Sequence, residues 1–156
     1  MTDPDPTTVV ADADVLAADL LVGGDARAAL DHVRRHSWLT LAASDELLDD
    51  AEATIARLAD DALAADWRER VEAERETVNH PPDDHPALAS AYRAGAAHLL
   101  TFDDGLRAAE TGLSLQPYQG LSVRTPDAFA AVFDAESLYA ATQEGVYQGP
   151  DRDPRA

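Results

Sequence analysis

Short apolar runs alternate with stretches of helical periodicity along most of this chain, and that alternation limits the fold more than any other feature. Val9 and Val10 open a strand that ends at Asp12. Residues 15–21 suit a short helix closed by Gly23 and Gly24, and Asp25 caps a helix over 25–36. Residues 38–41 read as a buried strand. Ser44 or Asp45 then caps a helix to residue 58. A charge-rich helix over 62–76 is expected to protrude. The paired prolines of TVNHPPDDHP enforce a loop. Pro86 starts a helix over 86–94, residues 98–101 form a strand, and 104–110 a helix. The strand 121–124, a Pro126-initiated helix to 133 and a short helix over 137–142 complete the series. Strands that are apolar throughout and separated by helices imply an α/β fold, with a short central parallel sheet in a three-layer α/β/α sandwich. Crossovers are expected to be right-handed.

The 156 residues suffice for one domain. Residues 1–8 read as a disordered lead, 9–142 as the domain and 143–156 as a flexible acidic tail. Thirty Asp and Glu face twelve basic residues, all of them Arg, for a net charge of −18. That sign excludes the basic face of a general nucleic-acid coat and argues against anionic membranes. The absence of Cys excludes disulfides, thiolate catalysis and Cys-based metal sites. No apolar run approaches the roughly 20 residues of a membrane helix. The N-terminus lacks the pattern of a signal peptide, so a cytoplasmic location is expected. Self-repulsion at −18 is costly in dilute salt and is screened in molar salt, where the Debye length is about 3 Å. Composition of this kind resembles that of cytoplasmic proteins of extreme halophiles.

Ligands of open α/β sheets bind beyond the carboxyl ends of the strands. The first strand ends in Asp12, with Asp14 two residues on, and the HLLT strand runs into Phe102, Asp103 and Asp104. In the DELLDDAEATIARL helix, Asp50 borders an apolar stripe of Leu48, Ala51, Ile55 and Leu58, while Glu46 and Asp49 point to solvent. Asp84 opens the helix after the proline loop, where the dipole favours a carboxylate. Each of these acids also suits an ordinary cap or a solvated face. Together, Asp12, Asp50, Asp84 and Asp103 would raise one another's pKa unless a cation joined them. Oxygen donors without Cys select Mg²⁺ or Mn²⁺ over zinc. Two such ions about 4 Å apart can clamp a phosphodiester.

In order along the chain these residues resemble the motifs of PIN domains, a family of metal-dependent nucleases. The apolar strand into D-x-[DNST] is Asp12-Ala13-Asp14, and an acid six residues past a Ser is Asp50 after Ser44. D-x-x-x-L-A-x-A is matched by Asp84, Leu88, Ala89 and Ala91. The run G-A-x-x-[IVL]-[IVL]-T-x-D-x-x-L appears as Gly95, Ala96, Leu99, Leu100, Thr101, Asp103 and Leu106. LSVRTPDAFAAVF resembles the final strand and Pro-initiated helix, so the resemblance covers about residues 9–134. It implies an endoribonuclease in which water attacks phosphorus in line, leaving 5′-phosphate and 3′-hydroxyl ends. Asp12, Asp84 and Asp103 would hold the main metal, Mg²⁺ or Mn²⁺. Asp50 would position a second metal or the water, and Thr101 and Asp14 would order the cluster and substrate. The partners implied are RNA, a protein such as an antitoxin, and a second copy in a homodimer. Two departures stand out. Asp50 replaces the family's usual Glu and is one methylene shorter. The basic residues near this edge are few, with Arg93, Arg107 and Arg124 each also suited to surface ion pairing.

Competing readings use the same residues. A haloacid-dehalogenase-like phosphatase would employ Asp12 as nucleophile and Asp14 as acid/base, but it wants a later Lys, which this chain lacks. A PIN-like scaffold turned interaction module would use the acidic surface and the charged helix for protein partners. His80 and His85 flanking PPDD read as a surface loop rather than a zinc site. No G-x-S-x-G, Walker lysine or G-x-G-x-x-G is present. Trp38 and Phe102 are assigned to the core.

Overall fold

The structure, a computed structural model, describes residues 4–106 and 120–155. It is a three-layer α/β/α sandwich around a five-stranded parallel sheet of order β3-β2-β1-β4-β5. The strands are β1 (Asp5–Ala11), β2 (Thr40–Ala43), β3 (Glu76–Thr77), β4 (Ala96–Leu100) and β5 (Ser122–Arg124). The helices are α1 (Ala13–Leu21), α2 (Gly24–Arg34), α3 (Asp45–Leu58), α4 (Asp61–Glu74), α5 (Pro86–Ala94), α6 (Pro126–Val132) and α7 (Ala135–Thr142). The two central strands, β1 and β4, carry Val9, Val10, Ala11, Leu99 and Leu100, all buried, as a sheet covered on both faces requires. Helix α1 packs on α2 and α3, α3 on α4, and α2 on α6, while α5 lies on β1, β2 and β4.

Several boundaries differ from the sequence expectation for physical reasons. Strand β1 begins at Asp5, inside the stretch read as a lead. Its register with β4 shifts between Asp5 and Val9, which is where Pro6, lacking an N–H, can be accommodated. Pro4 rests against Gly120, whose φ is +99° and where a Cβ would come within 2.9 Å of the proline ring. Strand β2 lies at Thr40–Ala43 rather than 38–41. Trp38 instead joins His36, Tyr139 and Tyr147 in an aromatic cluster. Strand β3, an exposed two-residue edge pairing with Ala42 and Ala43, carries no apolar signal in the sequence.

Helix α4 does not protrude. It buries Ala64, Trp67 and Val71, spaced three and four residues apart. Arg68 reaches across to Asp49 and Glu52 of α3 at 2.7 and 3.0 Å. Burying the large side chains is worth roughly 1.5–3 kcal/mol each, against about 0–1 kcal/mol for surface ion pairs, so packing decides the helix's place.

The end of the chain is held to the domain instead of hanging free. Asp151 and Arg152 donate backbone N–H groups to the carbonyl of Arg35, at the end of α2. The Asp151 carboxylate accepts from the Ser37 backbone at 2.7 Å. Arg155 pairs with Asp31 at 2.7 Å, and Tyr147 hydroxyl meets His36 Nε2 at 2.8 Å. These contacts satisfy polar groups that a helix end leaves open. The helix expected over 104–110 is described only for its opening turn, Asp104 to Leu106; its remainder and Arg107 lie outside the described residues. No helix among the described residues is long and apolar enough to cross a membrane.

Candidate functional site

The two central strands end side by side. Asp12 N–H donates to the carbonyl of Leu100 at 2.8 Å, which locks the residue after β1 to the end of β4. Asp12 is the N-cap of α1, and its Oδ1 accepts from Ala13 N–H at 2.8 Å. Its Oδ2 accepts from the hydroxyl of Thr101 at 2.8 Å. Thr101 is fully buried, and its Oγ1 also accepts the backbone N–H of Asp103 at 3.0 Å. Through one hydroxyl, then, the acids that follow β1 and β4 are held as neighbours. Asp103 Oδ1 takes the N–H groups of Gly105 and Leu106 at 2.8 and 3.3 Å. The capping role and the site role are compatible, because capping occupies only one oxygen of Asp103.

Asp14 completes the group from the first turn of α1. Its Oδ2 accepts the Phe102 N–H at 3.1 Å, while Oδ1 is buried without a partner among the described residues. Burial raises the Asp14 carboxyl above its ordinary 3.8, and the charges of Asp12 and Asp103 raise it further. The hydrogen bond from Phe102 offsets part of this. The arrangement is therefore a set of three carboxylates at one sheet edge, short of positive charge.

The other two acids expected at the site, Asp50 and Asp84, are exposed, as Asp103 is. Asp50 is exposed on α3, and among the described residues no polar contact joins its carboxylate to the three. The acids of this helix that are partly buried are Glu46, expected to point to solvent, and Glu52. The buried face of α3 is Leu47, Leu48, Ala51 and Ile55; Leu58 is 65% exposed. Asp84 is exposed in the turn before α5, and His85, not Asp84, caps that helix through Nδ1 at 3.2 Å from Ala87 N–H. Of the basic candidates, Arg93 is exposed at the end of α5 and Arg124 half-buried on β5.

A buried polar cluster behind this edge is missed by the sequence reading. His80, expected on a surface loop, is buried, and its Nδ1–H donates to the Pro81 carbonyl at 2.8 Å. In that neutral tautomer Nε2 accepts from the Ser44 hydroxyl at 2.8 Å. Ser44 Oγ in turn accepts Leu47 N–H at 3.1 Å as the N-cap of α3, and Ser90 Oγ of α5 takes the Ser44 N–H at 3.1 Å. The cluster thus ties the proline loop, α3 and α5 to the end of β2. A His two residues from Asp-rich sequence offers no signal that it will turn inward. Phe102, assigned to the core, is 43% exposed. The reason is that its backbone is pinned by Asp14 just where the strand leaves the core.

Among the described residues no group of three or more His, Asp or Glu side chains is placed to hold a metal ion. The family profile described as "Family of unknown function (DUF7384)" matches residues 3–155, and the chain belongs to that family. No curated protein and no solved structure matches the chain.

Proposed function

We propose that the edge formed by Asp12, Asp14, Thr101 and Asp103 is the site of a Mg²⁺- or Mn²⁺-dependent endoribonuclease of PIN-like type. The observation that carries this reading is the meeting of Asp12, Asp14 and Asp103 at the ends of β1 and β4, where the buried Thr101 hydroxyl holds the Asp12 carboxylate and the Asp103 backbone, with one Asp14 oxygen buried and unpartnered. Such an oxygen is a standing deficit that a divalent cation would relieve. The lack of a three-ligand protein cage is no obstacle. Mg²⁺ keeps several waters and is commonly held by one or two carboxylates together with substrate phosphate. Asp12 and one of its neighbours Asp14 and Asp103 would hold it, with waters and substrate phosphate filling the remaining positions. A bound divalent ion would supply charge for an in-line phosphodiester hydrolysis. The chain's own part is orientation. Thr101 fixes Asp12 and the Asp103 backbone, and the α1 N-cap fixes the other Asp12 oxygen.

The test is cleavage of a single-stranded RNA by purified protein with Mg²⁺ or Mn²⁺. Wild type should cleave and lose activity in EDTA. Asp12→Asn should lose at least about 100-fold, since it removes a charge that holds the ion. Unchanged cleavage by Asp12→Asn would defeat the assignment. The lack of a three-ligand acidic group among the described residues favours a second reading, a PIN-like interaction module without turnover. Absence of any metal-dependent cleavage together with a folded protein would select it.

A further inference from the structure

Phe102 sits in the middle of the proposed site and is not needed to build it. Its backbone is fixed on both sides: Thr101 before it is fully buried, its own N–H is held by Asp14, and Asp103 after it caps the next turn. The ring nevertheless stays 43% exposed. Most of the other described aromatic rings are sheltered. Trp67 and Phe129 are buried, and Trp38, Phe133, Tyr139 and Tyr147 pack within ring clusters. Tyr92 is also exposed, but it belongs to the last turn of α5, just before β4 begins, and so lies at the opposite edge of the sheet. Phe102 is the exposed ring at the carboxyl edge among the described residues.

The charge of the molecule gives that ring a purpose. A net −18 cannot attract a polyanion, and phosphate contacts by Arg or Lys lose strength steeply as salt rises. Stacking on an aromatic face has neither weakness. It accepts any base and releases no counterions. We propose that Phe102 is a nucleobase platform: it stacks an unpaired base of the strand whose phosphodiester lies against Asp12, Asp14 and Asp103. This rests on the nuclease reading and adds to it the source of substrate affinity. Bases inside a duplex are already stacked, so the platform takes single-stranded substrate, and its affinity does not fall as salt rises.

The experiment measures binding of a short single-stranded RNA containing 2-aminopurine to the otherwise wild-type protein with Ca²⁺ in place of Mg²⁺, so that an ion can be held and binding is read without turnover. Titrations at about 0.1 M and about 3 M KCl bracket the screening range. Binding should quench the 2-aminopurine fluorescence, with an affinity that does not fall from the lower to the higher salt concentration, since salt screens the repulsion between the acidic protein and the RNA. Phe102→Ala should weaken binding roughly 5- to 150-fold and abolish the quench. Phe102→Trp should restore both, whereas Phe102→Leu, which keeps apolar bulk without a π-face, should behave like Phe102→Ala. Phe102→Trp and Phe102→Leu keep the apolar bulk and should melt with the parent, so the contrast between them is free of a folding effect. Equal affinity of Phe102→Ala and parent, or full binding by Phe102→Leu, would overturn the platform. Metal-dependent cleavage by the wild-type protein alongside either result would sink the platform alone. Failure of every variant to bind, with no cleavage by wild type, would sink the nuclease reading with it.

Discussion

Burial and the charges of Asp12 and Asp103 raise the Asp14 carboxyl above 3.8, and this has a definite sign for stability. As pH rises through the interval above 3.8, the folded protein must give up a proton that the unfolded chain has already lost. Stability therefore falls across that window and stays lower at neutral pH. Asp14→Asn keeps an acceptor for the Phe102 N–H and removes the charge. In EDTA at pH 7 it should melt higher than wild type by roughly 2–4 °C, and it should lack the decline above pH 4. Scanning calorimetry across pH checks this, and a lower melting point for the variant at neutral pH would contradict it. Added Mg²⁺ should raise the wild-type melting point and leave the variant's less affected. The residues of this edge were legible from sequence because each follows an apolar strand directly, so position in the chain and position in space coincide. At Asp50 and Asp84 the sequence offers several neighbouring acids to choose among, because their helix and turn are crowded with them. Periodicity placed Asp50 at the border of the apolar stripe of α3, whereas the structure leaves Asp50 exposed and half-buries Glu46 and Glu52.

Among the elements, helices were easier to place than strands. Ser44 as the cap of α3 and Pro86 at the start of α5 are local signals with local effects. Strand β2 was displaced because Ala42 and Ala43 carry no strand preference, and a strand of small residues is recognised only through its neighbours. The charge of α4 hid Trp67 and Val71, whose spacing, not their neighbours' polarity, fixes the buried face. The Ser44–His80–Ser90 cluster joins three elements far apart in sequence, which no local pattern encodes. It gives the junction a measurable weight. Ser44→Ala removes the α3 cap and leaves His80 Nε2 buried without its partner, so it should cost about 1–3 kcal/mol in urea unfolding. A loss below about 0.5 kcal/mol would mean that the junction contributes little.

For the whole molecule, the acidic surface is the dominant property that the fold does not explain. Its ion pairs gather on a few arginines, with Arg34 held between Asp19 and Asp31, and Arg68 among Asp49, Glu52 and Glu72. Twelve arginines cannot neutralise thirty acids, and the excess repels itself over distances that salt shortens. The melting temperature should accordingly rise by many degrees between about 0.1 M and about 3 M KCl. Equal midpoints would show that the surface is not adapted to salt.

If the ends of β1 and β4 form a nuclease site, the acids there share a divalent ion with water. Anomalous scattering from crystals soaked in Mn²⁺ tests it most directly. The predicted result is a manganese peak within about 2.0–2.3 Å of an Asp12 or Asp103 oxygen, with Asp14 in its first or second shell, absent from Asp12→Asn crystals grown the same way. Manganese bound elsewhere, or no peak at the ends of β1 and β4 while the protein is folded, would contradict it.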